Sequence, residues 1–210
     1  MKAIYINAQG GPEVLTYGER PEPTIGPGEI LARVRACALN HLDTWIRSGG
    51  AGIRPWFKRS FPQPHILGLD IAGDVVQIGP EVTSLKEGDR VLFDPNRYCH
   101  KCYYCVRGHG HLCENLKVMG VEIDGGYAEY VKAPAENAFP IPEDMSFEEA
   151  AAIPSVFFTS WHMLITLANL RAGEDVLIHA AGSGLGSAAI QIAKVCGARV
   201  ITTASTGEKL

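Results

Sequence analysis

The chain has 210 residues, a formal net charge of −4 at pH 7, 46% hydrophobic residues and 20% charged residues. This composition is typical of a globular chain with one large domain or two small ones, and it excludes fibrous, collagen-like and disordered proteins. No apolar run of about 18 residues, no secretory signal and no basic patch is present, so we expect a cytoplasmic protein that binds neither membrane nor nucleic acid.

The chain begins with short strands separated by turns. Alternation of apolar and polar residues predicts strands over 3–7, 30–38, 71–78 and 90–93, and glycine- and proline-rich turns lie between them. Because no helical periodicity of comparable length interrupts this pattern, we predict one β-rich domain over residues 1–142 with several long loops.

One of these loops, residues 95–117, is named the cysteine lobe here. It carries four of the six cysteines in the spacing C-x-x-C-x-x-C-x7-C: Cys99, Cys102, Cys105 and Cys113. A looping segment with this spacing presents four thiolates tetrahedrally to Zn²⁺. Since four sulfur ligands leave no position for water or substrate, we predict a structural zinc.

Three other uses of the four cysteines remain as alternatives. Two disulfides would suit an oxidising compartment but not the expected cytoplasm. An iron–sulfur cluster also takes four cysteines, although this spacing differs from the ferredoxin spacings. A zinc ribbon on nucleic acid fits the cysteines, but the chain is acidic and the nearby basic residues are few and dispersed: Arg97, Lys101, Arg107 and Lys117.

The sequence pattern changes after Pro142. Ser146 and Glu149 form the signature of a helical capping box, and an apolar stretch with helical character follows them. We therefore predict a helix that begins after Ser146 and place the domain joint between residues 142 and 143.

The last part of the chain reads as a βαβ unit. A strand over 176–180, a glycine turn over 181–186, a helix over 187–196 and a second strand over 198–205 follow in order, and Gly197 ends the helix. The helix takes its apolar residues from Ile190, Ile192, Ala193 and Val195. Since a dinucleotide domain needs two such halves, we predict that residues 143–210 are the start of one and that the chain is truncated.

The glycine turn predicts the binding of a dinucleotide. Glycines between a strand and a helix allow backbone N–H groups to approach a pyrophosphate, which the helix N-terminus attracts. The predicted contacts are Gly182, Ser183, Gly184, Leu185 and Gly186. The alternative is a tight turn with small residues that serve only packing.

The end of the second strand bears on the choice of cofactor. An NAD-binding unit usually has Asp or Glu there, whereas this chain has Thr203, Ala204, Ser205 and Thr206. Ser205 and Lys209 suit a 2′-phosphate, so we predict NADPH in preference to NADH. The alternative is that these are ordinary turn residues.

Together these features resemble the zinc-containing medium-chain dehydrogenase/reductase superfamily, which includes alcohol dehydrogenases and quinone oxidoreductases. The resemblance covers the whole chain and extends to GGPEVL at 10–15, ALNHLDTWIRSGG at 38–50, HILGLDIAGDVVQIG at 65–79, GGYAEY at 125–130 and AAGSGLGSAAIQIAK at 180–194. It implies a mixed β and α/β chain in which a GroES-like β-barrel domain precedes a Rossmann domain. It also implies hydride transfer in the cleft between the domains, and dimers or tetramers of the full-length protein.

Alcohol dehydrogenases of this superfamily hold a second, catalytic zinc through a Cys, the His and Glu of a GHE motif, and another Cys. Here the place of the first Cys is taken by Asn40, the GHE motif reads GLD at 68–70, and the place of the last Cys is taken by Ser155. Asn, Leu and Ser are not the thiolate and imidazole ligands that zinc takes. The resemblance therefore implies that the structural zinc is kept and the catalytic zinc is lost.

Loss of a catalytic zinc favours reduction of a polarised acceptor over oxidation of an alcohol, because a delocalised enolate needs only hydrogen-bond donors to stabilise it. We predict an NAD(P)H-dependent oxidoreductase that transfers hydride to a quinone or an α,β-unsaturated carbonyl, and we expect the 210-residue chain alone to be inactive. The resemblance implies that Asn40 orients the acceptor, His41 lies at the pyrophosphate and Thr159 lies near the nicotinamide, and it adds Asp43 to the site.

Each of these residues has a plainer interpretation. Asn40 is then the cap of a turn, His41 a solvated loop residue, and Asp43 the partner of Arg47 in an ion pair. Trp45 replaces the Tyr often found in quinone oxidoreductases, so the proton donor is unassigned and water is a candidate. The acceptor pocket is expected to be lined by aromatic residues: Trp45, Trp56, Phe57 and Phe61.

Two rival functions remain. One is an alcohol dehydrogenase whose catalytic zinc has moved to other metal-binding residues, namely Cys37, His41, His65 and Asp70. The other is a non-catalytic module that senses NADPH or binds a partner. Zinc stoichiometry and turnover separate these rivals from the reductase.

Overall fold

The computed structural model describes residues 1–49 and 63–207, and the chain divides into two units, Met1–Ala152 and Ile153–Leu210. The elements of the first unit are β1 (Lys2–Ile6), β2 (Leu15–Glu19), β3 (Glu29–Ala38), α1 (His41–Ser48), β4 (His65–Ile66), β5 (Asp70–Ile78), β6 (Arg90–Phe93), β7 (Asn96–Arg97), β8 (Lys117–Val118), β9 (Tyr130–Pro134), β10 (Ala138–Pro140) and α2 (Phe147–Ala151). Those of the second are α3 (Thr159–Trp161), β11 (Asp175–Ile178), α4 (Gly184–Val195) and β12 (Arg199–Thr202).

Within the described ranges, no helix combines the length and the apolar character that crossing a membrane requires.

The first unit is built on antiparallel sheets. The larger of the two main sheets has five strands in the order β10-β6-β5-β3-β9, the smaller has three in the order β2-β1-β4, and β7 and β8 form a further two-stranded sheet. The four strands predicted from alternation are present within one residue of their expected ends. Residues of successive strands form the core of the larger sheet, namely Ile30, Ala32, Ile71, Val75, Val91, Phe93 and Val131. The intervening residues Leu31, Ala72 and Leu92 are buried as well, so both faces of the sheet are covered along these stretches.

The division between the units lies after Ala152, later than the joint predicted at 142/143. The guanidinium of Arg90 in β6 donates hydrogen bonds to three carbonyls of the following segment, those of Pro142, Glu143 and Met145, at 2.6 to 3.0 Å. The same guanidinium lies 4.4 Å from the ring centroid of Phe147. These contacts attach α2 to the β-rich unit, and no local pattern in the sequence reveals them.

The second unit contains the predicted βαβ arrangement. Strands β11 and β12 pair in parallel, with Val176 opposite Val200, and α4 connects them. The buried stripe of α4 follows the helical repeat through Ala189, Ile192 and Ala193. Val195 is 88% exposed, which corrects its predicted place in the apolar face.

Candidate functional site

The cysteine lobe brings its four sulfurs together. The Sγ atoms of Cys99, Cys102, Cys105 and Cys113 all lie within 4.8 Å of one another, and those of Cys99 and Cys105 are 3.9 Å apart. A tetrahedral zinc with bonds of about 2.3 Å separates its sulfurs by about 3.8 Å. All six cysteines of the chain are free thiols, so the two-disulfide alternative is not formed. The donor set and its spacing fit Zn²⁺.

The electrostatics of the lobe also favour a cation. The backbone N–H of Lys101, helped by that of Cys102, lowers the pKa of Cys99 to about 6. Desolvation and the neighbouring sulfurs of Cys102 and Cys113 raise the pKa of Cys105 to about 12. Four thiolates therefore coexist here only beside a positive charge, which a bound Zn²⁺ supplies.

Asn40, His41 and Asp43 lie at the start of α1. Asn40 precedes the helix in extended conformation, and its backbone N–H donates to Oδ2 of Asp43 at 2.8 Å, so the local capping interaction is present. His41 is exposed and its ring stacks on that of Trp45, with 6.4 Å between the centroids. The two residues predicted to act at the acceptor and the pyrophosphate are thus neighbours at one helix end.

Asp43 is the centre of a buried polar network. Only 4% of this residue is exposed, and besides Asn40 its carboxylate accepts hydrogen bonds from the backbone N–H of Gly68 at 3.2 Å and from the hydroxyl of Tyr127 at 2.9 Å. Burial raises the pKa of Asp43 although these donors oppose the shift. Asp43 and Arg47, both described, form no ion pair. Tyr127 was not predicted as a site residue, because it lies far along the sequence and no local signal links it to Asp43.

Asp70, the first residue of β5, is the second buried carboxylate in this region. It is 2% exposed, and its Oδ2 accepts a hydrogen bond from Nδ2 of Asn40 at 2.9 Å. Nearby, burial raises the pKa of Cys37 far above its usual range, and the charges of Asp43 and Asp70 add to the shift.

The four residues proposed for a displaced zinc do not form a ligand cluster. His65 is fully buried, and its Nδ1 lies 3.4 Å from Oδ1 of Asp124. Within residues 1–49 and 63–207, the four cysteines of the lobe are a group of three or more metal-binding side chains in mutual reach, and Cys37, His41 and Asp70 belong to no such group.

The glycine turn of the second unit leads into α4, which begins at Gly184 and not at residue 187 as predicted, so Gly184 and Gly186 lie in its first turn. Ser183 is the N-cap residue, and its hydroxyl accepts a hydrogen bond from the backbone N–H of Gly186 at 3.0 Å. A Cβ on Gly186 would lie 2.4 Å from the carbonyl oxygen of Ala180, whereas a Cβ on Gly182 would meet no atom within 4 Å. Gly186 therefore serves close packing, and Gly182 leaves open space at the helix N-terminus. This shape fits a pyrophosphate.

Ala180 carries backbone strain directly before this turn, with φ of 57°. A left-handed conformation costs a residue with a Cβ about 1–2 kcal/mol, so we expect Ala180→Gly to raise the free energy of unfolding by about 1 kcal/mol. Denaturant titration of both proteins measures the change. The control Ala181→Gly, at a residue without positive φ, should instead lower stability by about 0.5–1 kcal/mol. Equal effects of the two substitutions would contradict strain at Ala180.

The end of β12 is close to the end of β11. Nδ1 of His179 lies 3.0 Å from Oγ1 of Thr203, and the backbone N–H of Ala181 donates to the carbonyl oxygen of Thr203. Ser205, predicted at the cofactor, is an exposed residue shortly beyond. Lys209 lies outside the described residues.

The remaining predicted residues fall into three groups. Thr159 is an exposed residue of the second unit, and it lies inside a helical run that begins at Pro154 instead of opening the helix as expected. Trp45 is 53% exposed. The other three aromatic residues expected at the acceptor pocket lie outside the described residues: Trp56, Phe57 and Phe61.

A β-rich unit with a four-cysteine lobe, followed by a βαβ unit with a glycine turn, defines the class of zinc-lobed, dinucleotide-binding two-domain proteins. The profile of the family "Alcohol dehydrogenase GroES-like domain" matches residues 26–143. The chain belongs to the zinc-containing medium-chain dehydrogenase/reductase superfamily, and its fold is a GroES-like domain followed by part of a Rossmann domain.

Individual relatives agree with this assignment. An alcohol dehydrogenase of Geobacillus stearothermophilus is 38% identical over 212 residues, which cover 100% of this chain and 60% of that protein. A quinone oxidoreductase of Lama guanicoe is 34% identical over 99% of this chain and 54% of its own length. A crystal structure of an NAD-dependent alcohol dehydrogenase superposes with a TM-score of 0.92 at 46% identity, over 100% of this chain and 60% of that one. The chain thus spans little more than half of these relatives.

Proposed function

We propose that the full-length protein is an NAD(P)H-dependent oxidoreductase that transfers hydride to a quinone or an α,β-unsaturated carbonyl and binds a structural zinc only. The observation that carries the proposal is the pairing of Asn40 with Asp70. In the superfamily's alcohol dehydrogenases both positions belong to catalytic-zinc ligands, and here they are joined by a direct hydrogen bond. The absence of any other metal-binding cluster among the described residues supports the same conclusion.

NAD(P)H, when bound, supplies the hydride. The backbone N–H groups of the turn at Gly182–Gly186 and the N-terminus of α4 hold its pyrophosphate. The resemblance to the superfamily implies that His41 would add a polar group for the pyrophosphate and that Thr159 would belong to the nicotinamide site. The amide of Asn40 donates a hydrogen bond to the acceptor oxygen and stabilises the negative charge that develops there. With no acidic side chain assigned, the proton that completes the reduction comes from water.

The cofactor preferred by this chain is NADPH. Neither Thr203 nor Ser205 brings a negative charge to the end of β12, where an acidic side chain would favour NADH. The exposed hydroxyl of Ser205 is free of the repulsion that a carboxylate would exert on a 2′-phosphate, and Lys209 contributes positive charge. Comparison of the dissociation constants of NADPH and NADH tests this preference.

The domain arrangement proposed for the protein keeps the zinc lobe, residues 95–117, inside the first domain and assigns the nucleotide to the second. Residues 143–152 join the two, although they pack with the first unit. Assembly of the full-length protein into a dimer or a tetramer is proposed by analogy with the superfamily.

Asn40→Ala is expected to lower kcat about 100-fold with 1,4-benzoquinone or a short enone, because one stabilising donor is lost at the acceptor oxygen. NADPH oxidation followed at 340 nm by the full-length protein measures the effect, and Asn7→Ala, at an exposed asparagine, is the matched control. If the wild-type protein binds NADPH but turns over no quinone, enone, aldehyde or alcohol, the result would favour the non-catalytic module instead.

The alternative with observational support is a zinc alcohol dehydrogenase, since relatives with that name match the whole chain. Zinc analysis separates the two functions. The reductase predicts one zinc per chain, and two zinc atoms per chain together with alcohol oxidation would contradict it.

A further inference from the structure

The side chain of Asn40 is held in one orientation by a buried carboxylate. Its Nδ2 donates to Oδ2 of Asp70 at 2.9 Å, and Asn40 is half-buried while Asp70 is almost completely enclosed. The two residues are 30 positions apart in the sequence. Strands β3 and β5 bring them together, since Ala38 at the end of β3 pairs with Asp70.

The two ends of an amide have opposite hydrogen-bonding polarity. An ionised carboxylate only accepts, whereas the amide nitrogen carries two N–H groups and the amide oxygen only accepts. While Asp70 is ionised, a flip of the Asn40 amide would place its oxygen against a carboxylate oxygen, which is repulsive. One N–H of Asn40 is used by Asp70, and the second is left to donate elsewhere.

The backbones of both residues are fixed independently of this bond. The N–H of Asn40 donates to Asp43, whose other contacts are Gly68 and Tyr127, so that carboxylate faces the backbone of Asn40. Asp70 begins β5, which pairs with β3 on one side. Titratable groups that interact electrostatically with Asp70 include Cys37, Asp43 and Tyr127.

We propose that Asp70 is a positioning residue: it orients the amide of Asn40 so that an N–H, and not the C=O, faces the acceptor oxygen. This inference rests on the proposed reductase function and deepens it, because it states which polarity the site presents. A site of this polarity selects an acceptor that gains negative charge on oxygen, such as a quinone or an enone, and disfavours a ligand that must donate a hydrogen bond at the same point.

Reversal of the pair tests the polarity. Asp70→Asn alone allows the two amides to pair in either direction, so we expect kcat/KM to fall about two- to tenfold as the competent orientation becomes partly populated. The double variant Asn40→Asp/Asp70→Asn restores a carboxylate–amide hydrogen bond with reversed direction. It should unfold at nearly the wild-type midpoint, yet present an oxygen to the acceptor and lose at least about 100-fold in kcat/KM. Full-length protein, 1,4-benzoquinone and NADPH are used throughout.

The outcomes separate positioning from a merely structural role. Recovered stability with activity still lost supports the proposal, and an unchanged dissociation constant for NADPH places the loss at the acceptor. Recovery of both stability and activity in the double variant would overturn the proposal. An Asp70→Asn variant with wild-type kcat/KM would overturn it as well. A wild-type protein that reduces no quinone or enone would contradict the proposed reductase function itself. A wild-type protein that is active while the variants behave otherwise than expected would contradict only the positioning role of Asp70.

Discussion

Cys102→Ser is expected to remove zinc from the cysteine lobe and to unfold the segment between Cys99 and Cys113. Within that segment the buried residues are Cys102 and Cys113 themselves, so the lobe has no apolar core of its own. Structural zinc contributes about 10–16 kcal/mol to the folding of small zinc-binding peptides, and loss of such a site is among the largest effects of single substitutions. We expect a loss of at least about 4 kcal/mol in the free energy of unfolding.

Metal analysis after dialysis and limited proteolysis measure this result. Zinc content should fall from one atom per chain to nearly none, and new cleavage sites should appear within the lobe. Cys196→Ser is the matched control, because this half-buried thiol lies in the second unit outside the cluster. It should keep its zinc. A Cys102→Ser protein that retains one zinc and resists protease would exclude the role assigned to the four sulfurs.

Gly186→Ala has the second large expected effect, on both stability and cofactor binding. The new Cβ would lie 2.4 Å from the carbonyl oxygen of Ala180 and 3.0 Å from Oγ of Ser183. Because a backbone atom and the N-cap side chain must both move, we expect a loss of about 2–3 kcal/mol in the free energy of unfolding. The displaced turn presents its N–H groups poorly, so the dissociation constant of NADPH should rise more than about tenfold, equivalent to about 1.4 kcal/mol.

Thermal unfolding and titration of NADPH fluorescence in the full-length protein measure the two effects. Gly182→Ala is the informative comparison, since its Cβ would meet no protein atom within 4 Å. It should leave stability within about 1 kcal/mol of wild type while weakening NADPH binding, because close approach of backbone to pyrophosphate is hindered. Wild-type affinity in Gly186→Ala would show that the turn does not hold the cofactor.

Several features followed from local sequence because the interacting groups are close neighbours. The capping box of Ser146 and Glu149 joins residues three apart, and it forms as predicted. The strand over 90–93 is found at the predicted residues, and its apolar residues Val91, Leu92 and Phe93 are all buried. The four cysteines lie within one looping segment, so their spacing already implied convergence.

Other features depend on contacts between distant segments. The division after Ala152 follows from hydrogen bonds of Arg90 to Pro142, Glu143 and Met145, across more than 50 residues. The alternative interpretation of Asp43 paired it with Arg47 on its own helix, and it instead accepts a hydrogen bond from Tyr127, 84 residues away. The spacing of residues on a helix suggests possible partners for a carboxylate, but tertiary packing determines which partner forms the hydrogen bond.

By itself, the sequence determined the class of fold, the cysteine cluster and the glycine turn, because each depends on periodicity or on spacing within one short segment, and motifs along the whole chain indicated the superfamily. Tertiary structure decided where the first unit ends, that Asp43 binds Gly68 and Tyr127, and that Asn40 pairs with Asp70. Those contacts depend on the pairing of β3 with β5 and on the burial of the carboxylates of Asp43 and Asp70. Such long-range packing selects one partner among many that the linear sequence leaves possible.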